Sequence, residues 1–178
     1  MVPYVTQVDQ FGLEEPLARF PSAPMKPTQY LVRGILQTWI EAVASISSDV
    51  IVFSKNWQKV SDYSTAAMVT KLRGFREAQK VRFAMKRRVQ VQVGQILPVG
   101  QRSNAYTVTW QEEAFDQSGQ AIREESGRFT ATVVLADFQS TVAQQELDLR
   151  RKQRNFRNVY GVFVADFDPT KRPLPEEK

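Results

Sequence analysis

The sequence predicts an α+β fold in which a curved antiparallel sheet wraps around helices to form a cone-shaped domain. Two observations favour it. Across residues 28–78, apolar side chains recur at spacings of three and four, which is the period of a helix. Across residues 89–135, apolar and polar side chains alternate and short polar turns separate the runs, which is typical of hairpins with one buried face. A length of 178 residues without a repeat fits one domain.

Residues 1–27 are predicted to form a strand and a connector ahead of the domain. Residues 2–11 alternate weakly and hold Val, Tyr and Thr, which favours a short strand. Residues 14–27 contain four prolines. Because proline lacks the backbone N–H that ladders and helices use, this stretch is expected to be an extended connector.

The single α+β domain is then expected over residues 28–167, and its first half is helical. The apolar spacing predicts three helices, over residues 28–45, 49–62 and 66–78. On the first helix, Ile35 and Trp39 lie on a broad apolar stripe, so we expect both to pack into the concave face of the sheet.

The second half of the domain is predicted to be a meander of strands. The alternating runs predict strands over residues 89–93, 106–110, 129–135 and 162–167. Residues 168–178 are rich in proline and charge, so we expect a flexible C-terminal tail.

Composition excludes several kinds of chemistry. The chain has no Cys and no His, which excludes disulfides, thiolate nucleophiles, Ser-His-Asp triads and metal sites built from either residue. Four carboxylates flank the turn at residues 116–119, and we expect them to be exposed strand-end groups without a catalytic role: Glu112, Glu113, Glu124 and Glu125. No catalytic residue, metal or cofactor is predicted.

Two basic segments are candidate contact surfaces. Residues 71–88 carry eight basic residues against one acidic, a net charge of +7, and include Arg87 and Arg88. Such a segment can contact anionic lipid headgroups, an acidic partner or the phosphates of nucleic acid, and it can also be a solvated helix end. A second run, residues 150–157, begins with Arg150 and Arg151 and is either a partner-docking loop or a solvated connector.

A turn is predicted just before the last strand. Asn158 and Gly161 both tolerate left-handed backbone conformations, so the segment Asn158-Val-Tyr160-Gly161 is expected to be tight.

Three segments of this chain, in order, resemble the periplasmic domain of TrbF-type conjugal transfer proteins, which are relatives of the eighth VirB component of type IV secretion systems. The segments are Val2–Asp9, then Val43–Asp49 with the Lys55-Asn-Trp57 and Tyr63 that follow it, and Tyr160–Lys171. The family often carries Asn-Pro-X-Gly before the last strand. Asn158, Tyr160 and Gly161 match that frame, and the resemblance makes these three residues candidates for binding a partner. Val159 replaces the proline, which removes rigidity from the turn.

The resemblance implies the cone-shaped fold of nuclear transport factor two and a role that is not enzymatic. It implies an assembly factor of the inner-membrane complex, anchored in the membrane upstream of residue 1, with this domain in the periplasm. The implied partners are the protein itself, as a weak homodimer or higher oligomer, and other channel components. Two alternatives stay open: an accessory protein that contacts nucleic acid through residues 71–88, and a small-molecule enzyme with a pocket Asp or Tyr.

Overall fold

The computed structural model describes residues 7–8, 14–15, 28–100, 104–137, 141, 144–145, 148, 158 and 160–172. Near the N-terminus, strand β1 (Gln7–Val8) pairs antiparallel with strand β2 (Glu14–Glu15). The rest of the predicted strand and connector in residues 1–27 lies outside the described residues, as do Arg150 and Arg151.

Four helices follow: α1 (Gln29–Ala44), α2 (Val50–Asp62), α3 (Ala66–Lys71) and α4 (Arg73–Ala84). The first three have side-chain caps, because oxygens of Thr28, Asp49 and Thr65 accept hydrogen bonds from backbone N–H groups of the first turn. The first two predicted helices are confirmed to within one residue at each end.

The predicted third helix is wrong in length and continuity. It breaks at Leu72, and the second piece continues to Ala84 rather than ending near residue 78. The extension was missed because the inward face of α4 includes a polar residue, which interrupts the apolar period. That residue, Gln79, is buried, and its side-chain Nε2 donates to the Val43 carbonyl of α1 over 2.7 Å.

The four long strands form one antiparallel sheet in the order β3-β4-β5-β6. Their bounds are β3 Arg88–Pro98, β4 Ala105–Phe115, β5 Ala121–Leu135 and β6 Val164–Arg172. Strands β3 and β6 are therefore the two edges of the sheet.

The last strand also extends further than the predicted residues 162–167. Strand β6 continues to Arg172, which lies opposite Arg128, and Pro169 lies opposite Ala131 within the ladder. The proline is tolerated because β6 is an edge strand. In such a strand every second backbone N–H points away from the neighbouring strand, so a residue without an N–H there removes no hydrogen bond from the sheet. Residues 173–178 lie outside the described part of the chain.

The core lies between α1 and the sheet. Trp39 is fully buried and Ile35 is 8% exposed, which confirms that both belong to the core. The Trp39 ring meets Phe167 of β6 edge-on at 5.0 Å between ring centres. Its indole N–H donates to Ser64 Oγ over 3.0 Å, so the tryptophan also joins α1 to the segment between α2 and α3.

Candidate protein-interaction surface

The predicted contact residues lie at two places that are far apart in the sheet. Arg87 and Arg88 stand at the start of β3, and Asn158 to Gly161 precede the start of β6. These strands are opposite edges, and their antiparallel order places the start of β3 at the same end of the sheet as the end of β6. The two groups are therefore diagonally opposed, so they cannot form one site.

Asn158 has a structural role in the loop before β6. Its side chain is fully buried. Its Nδ2 donates to the carbonyl oxygens of Val162 over 2.7 Å and Asp62 over 3.2 Å, and its Oδ1 accepts from the Val162 N–H over 3.1 Å. A residue whose polar atoms are all directed inward does not touch a partner, so Asn158 contributes to any contact only by shaping the loop.

The same loop presents Tyr160 to solvent. The Gly161 N–H donates to the Asn158 carbonyl over 3.3 Å, which closes a turn, and Gly161 has φ +66°, a conformation that disfavours other residues. Tyr160, at the turn, is 52% exposed. The hydrogen bonds of Asn158 thus hold the turn although Val159 occupies the position of the proline.

Arg87 is also a structural residue, rather than a free surface cation. Its Nε donates to Glu125 Oε1 over 3.1 Å, and Arg82 on α4 donates to Glu125 Oε2 over 3.3 Å. The three side chains are each less than one third exposed. One carboxylate therefore fastens α4 and the entry of β3 onto β5.

Other cations of residues 71–88 are paired as well. Lys71 contacts Asp166 of β6 at 2.6 Å, and Lys80 contacts Glu77 at 2.7 Å. The hydrogen bond between Lys71 and Asp166 raises the pKa of the lysine and lowers the pKa of the carboxyl. With Arg82 and Arg87, four of the eight cations have carboxylate partners among the described residues.

Of the four other cations, Arg73 and Arg76 lie at the start of α4, and the Arg76 guanidinium lies over the Trp57 ring at 5.3 Å. The remaining two, Lys86 and Arg88, lie at the corner between α4 and β3, and we call them the basic corner. The Arg88 guanidinium lies over the Phe115 ring at 4.9 Å, and both basic residues are exposed. Lys86 has φ +57° and occupies the residue just past α4. Its N–H donates to the Phe83 carbonyl, and the Arg87 N–H donates to the Arg82 carbonyl, which is the Schellman pattern that usually places glycine there.

Glu112 is buried, contrary to the expectation for the carboxylates near the turn. It is 6% exposed, and its Oε1 accepts from the Trp110 indole N–H over 2.9 Å. Burial raises the pKa of the Glu112 carboxyl, and the hydrogen bond from Trp110 opposes that shift. The signal was present in the sequence, since alternation places residue 112 on the same face of β4 as Val108 and Trp110.

Within the described ranges, no group of three or more acidic residues is arranged to hold a metal ion. In the same part of the chain, no helix has the length and apolar character required to cross a membrane.

A protein-family model described as VirB8 protein matches residues 1–171. The chain belongs to the VirB8 family. VirB8 proteins are structural components of type IV secretion systems and not enzymes, so the predicted family and the predicted absence of enzymatic activity are both confirmed. The comparison with curated proteins found no match.

Solved structures with the same fold include three from type IV secretion machinery. A TrwG component from Bartonella birtlesii is 18% identical, with a TM-score of 0.61 over 85% of this chain and 98% of that one. The VirB8 protein of Agrobacterium tumefaciens is 14% identical, with a TM-score of 0.60 over 85% of this chain and 99% of that one. The soluble domain of TrwG from Bartonella grahamii is 17% identical, with a TM-score of 0.61 over 84% and 99%. The predicted cone-shaped fold of nuclear transport factor two is thereby confirmed.

Proposed function

We propose that this VirB8-family chain is an assembly component of the inner-membrane complex of a conjugative type IV secretion system, and that its domain works in the periplasm. The observation that carries the proposal is the family match over residues 1–171. The fold likeness, which spans nearly the whole of the TrwG and VirB8 structures, supports it. In this role the domain positions other channel components by binding them.

The arrangement of the surface supports a scaffold. The Tyr160 turn and the basic corner lie at diagonally opposite ends of one four-stranded sheet. Two neighbours can therefore bind at the same time without competing. The core between them, which includes the fully buried Trp39, keeps the distance between the two surfaces fixed.

We assign the Tyr160 turn to a protein partner. A tyrosine that is 52% exposed supplies a large apolar ring with a polar hydroxyl, and tyrosine is enriched in protein interfaces. The turn that carries it is held by Asn158 and Gly161, so little conformational entropy is lost when a partner binds.

We assign the basic corner to an anionic surface, either a membrane or an acidic partner. A basic residue near an anionic surface contributes about 1 kcal/mol and is screened within about 8–10 Å at physiological salt. The left-handed backbone of Lys86 supports this assignment. Glycine would fit that position at lower conformational cost, yet this chain carries a lysine there, which places a cation at the corner in spite of local strain.

Contact with DNA through residues 71–88 is not what we propose. Half of its eight cations have carboxylate partners among the described residues, and each such pair reduces the charge available to phosphates. A salt series tests the alternative, because phosphate binding must weaken steeply as salt concentration rises.

We also include weak self-association in the proposed role. Confinement in a membrane raises effective concentration, so contacts that are weak in solution suffice there.

Tyr160→Ala tests the partner assignment in the full-length protein expressed in its native host. We expect less co-purification of channel components and a lower conjugation frequency, with an unchanged thermal melt. The matched control is Tyr30→Ala, which removes a tyrosine that is 86% exposed at the start of α1. Equal transfer and equal capture by both variants and the wild type would contradict the assignment of Tyr160.

A second pair of variants tests the basic corner. Arg88→Gln should reduce association with anionic vesicles and lower transfer while the melt stays unchanged. Lys55→Gln on α2 is the matched control, since it removes one exposed cation elsewhere. Full transfer with Arg88→Gln would mean that this cation is only a solvated surface group.

A further inference from the structure

The two edges of the sheet differ sharply in composition. Strand β6 carries Asp166, Asp168, Lys171 and Arg172, whereas each edge strand has one proline in its ladder, Pro98 in β3 and Pro169 in β6. Natural sheets use such charges and prolines to prevent pairing at an edge. Apart from Arg88 at its start, strand β3 has no charged residue, although 24% of the chain is charged. The β3 edge therefore lacks the charged protection that the β6 edge has.

The backbone of β3 is available for pairing over a short and well-defined stretch. Val89 exchanges two hydrogen bonds with Ile46, of 3.1 and 2.9 Å, on the side of the strand away from β4. Alternate residues of a strand direct their N–H and C=O groups to the same side, so those of Val91 and Val93 also point outward. No described residue pairs with them. After Val93 the register with β4 shifts, and such a bulge bends the strand.

We propose that this stretch of β3 pairs with the same stretch of a second copy of the chain, antiparallel, about a two-fold axis through Gln92. The free stretch lies between the contact with Ile46 and the register shift, and Gln92 is its centre. An axis there places Val91 opposite Val93 of the second copy. The outward N–H and C=O groups of both valines in each copy can then form hydrogen bonds with the other copy. This inference rests on the self-association proposed above and names the surface responsible.

The sequence favours a second copy over a different extended segment. Valine flanks Gln92 on both sides, at positions 91 and 93, so antiparallel pairing about Gln92 places valine against valine in both opposed pairs. Gln92 of one copy meets Gln92 of the other on the exposed face, where the amides can hydrogen-bond. No charge opposes a like charge within the stretch, although the chain carries a net charge of +5.

The pairing is small, so the dimer is weak in solution. Two opposed pairs of residues exchange four hydrogen bonds, and a net hydrogen bond contributes about 0.5–1.5 kcal/mol before the cost of association. Confinement in one membrane then determines whether it forms.

A charge swap at Gln92 tests the axis in the 178-residue chain. Gln92→Lys and Gln92→Glu each place like charges opposite one another, so each variant alone should self-associate about five-fold more weakly than the wild type. An equimolar mixture should form a heterodimer tighter than either homodimer. The matched controls are Gln117→Lys and Gln117→Glu in the exposed turn between β4 and β5, which should leave self-association unchanged. Sedimentation equilibrium measures all of these.

A thiol trap tests the geometry separately. Because the chain has no Cys, Gln92→Cys introduces its only thiol. Residues directly opposed in a pair that exchanges no hydrogen bonds lie at about 4.5 Å between Cα atoms, within the range of a disulfide. Mild oxidation should therefore give a covalent dimer with Gln92→Cys and little with Gln117→Cys.

The outcomes separate this inference from the proposal on which it rests. Self-association of the wild type that is unaffected by charge at Gln92, with no preferential trap, would overturn the β3 pairing and leave self-association standing. No association of the wild type and no trap would overturn both. If Gln92→Lys self-associates like the wild type but captures another channel component more weakly, the β3 edge binds that component and not a second copy, which would overturn the inference. Mutual rescue by the two charged variants, together with the trap, would support the inference.

Discussion

Asn158→Ala should unfold the loop before β6 rather than remove a partner contact. The substitution leaves three buried backbone groups without the Asn158 amide: the N–H and carbonyl of Val162 and the carbonyl of Asp62. A buried group deprived of its partner costs about 1–3 kcal/mol. The Asp62 contact is the longest, at 3.2 Å, and the loop can relax. We therefore expect about 1 kcal/mol for each of the three groups, a total of about 3 kcal/mol.

Thermal and urea melts of the whole chain measure the effect. For a domain of this size each kcal/mol lowers the melting temperature by about 2–4 °C, so the midpoint should fall by about 6–12 °C. Tyr160→Ala is the control, because its exposed ring should change stability by less than about 0.5 kcal/mol. A melt of Asn158→Ala within 1 °C of the wild type, with partner capture lost, would refute the reasoning.

Three further predictions concern the core, a buried carboxyl and a helix end. Trp39→Ala should lower the free energy of unfolding by about 3–5 kcal/mol, measured in urea; an unchanged midpoint would show that Trp39 is not core. Glu112→Gln should be more stable than the wild type at neutral pH and equal to it below the ordinary pKa of 4.5. Burial raises the pKa of Glu112 in the native state, so the wild type loses stability as pH rises from 4.5 through that raised pKa. Melts of the two proteins that stay parallel from about pH 4 to 7 would contradict this. Lys86→Gly should raise stability by about 1 kcal/mol while weakening vesicle binding, and a loss of stability would show that the left-handed position is not strained.

The sequence predicted most of the fold because its two halves have different hydrophobic periods. Caps at Thr28, Asp49 and Thr65 made the starts of the first three helices readable. The errors have local causes. The end of α4 was missed since Gln79 buries a polar side chain by donating to the Val43 carbonyl, which is a tertiary contact with no signal in the period. The continuation of β6 was missed because Pro169 reads as a breaker unless its strand is known to be an edge.

The contact residues were less predictable, because charge and turn propensity do not reveal partners within the same chain. Arg87 and Arg88 are adjacent and identical in the sequence, yet Arg87 is fixed by Glu125, which lies 38 residues away, while Arg88 is exposed. Glu112 was the reverse case, since strict alternation along β4 indicated burial and the proximity of a turn outweighed it in our interpretation.

The residues available for assembly are those that the fold does not already use, and this distinction determines how variants must be interpreted. Asn158, Gly161 and Arg87 have structural partners or a special backbone conformation, so changing them reduces function by destabilising the domain. Tyr160 and Arg88 are exposed, so a loss of function there with an intact melt reports a contact. A transfer defect in any of the first group therefore carries no information on partners unless stability is measured beside it. The same requirement applies to Gln92, where the exposed side chain lets charge be changed without touching the core.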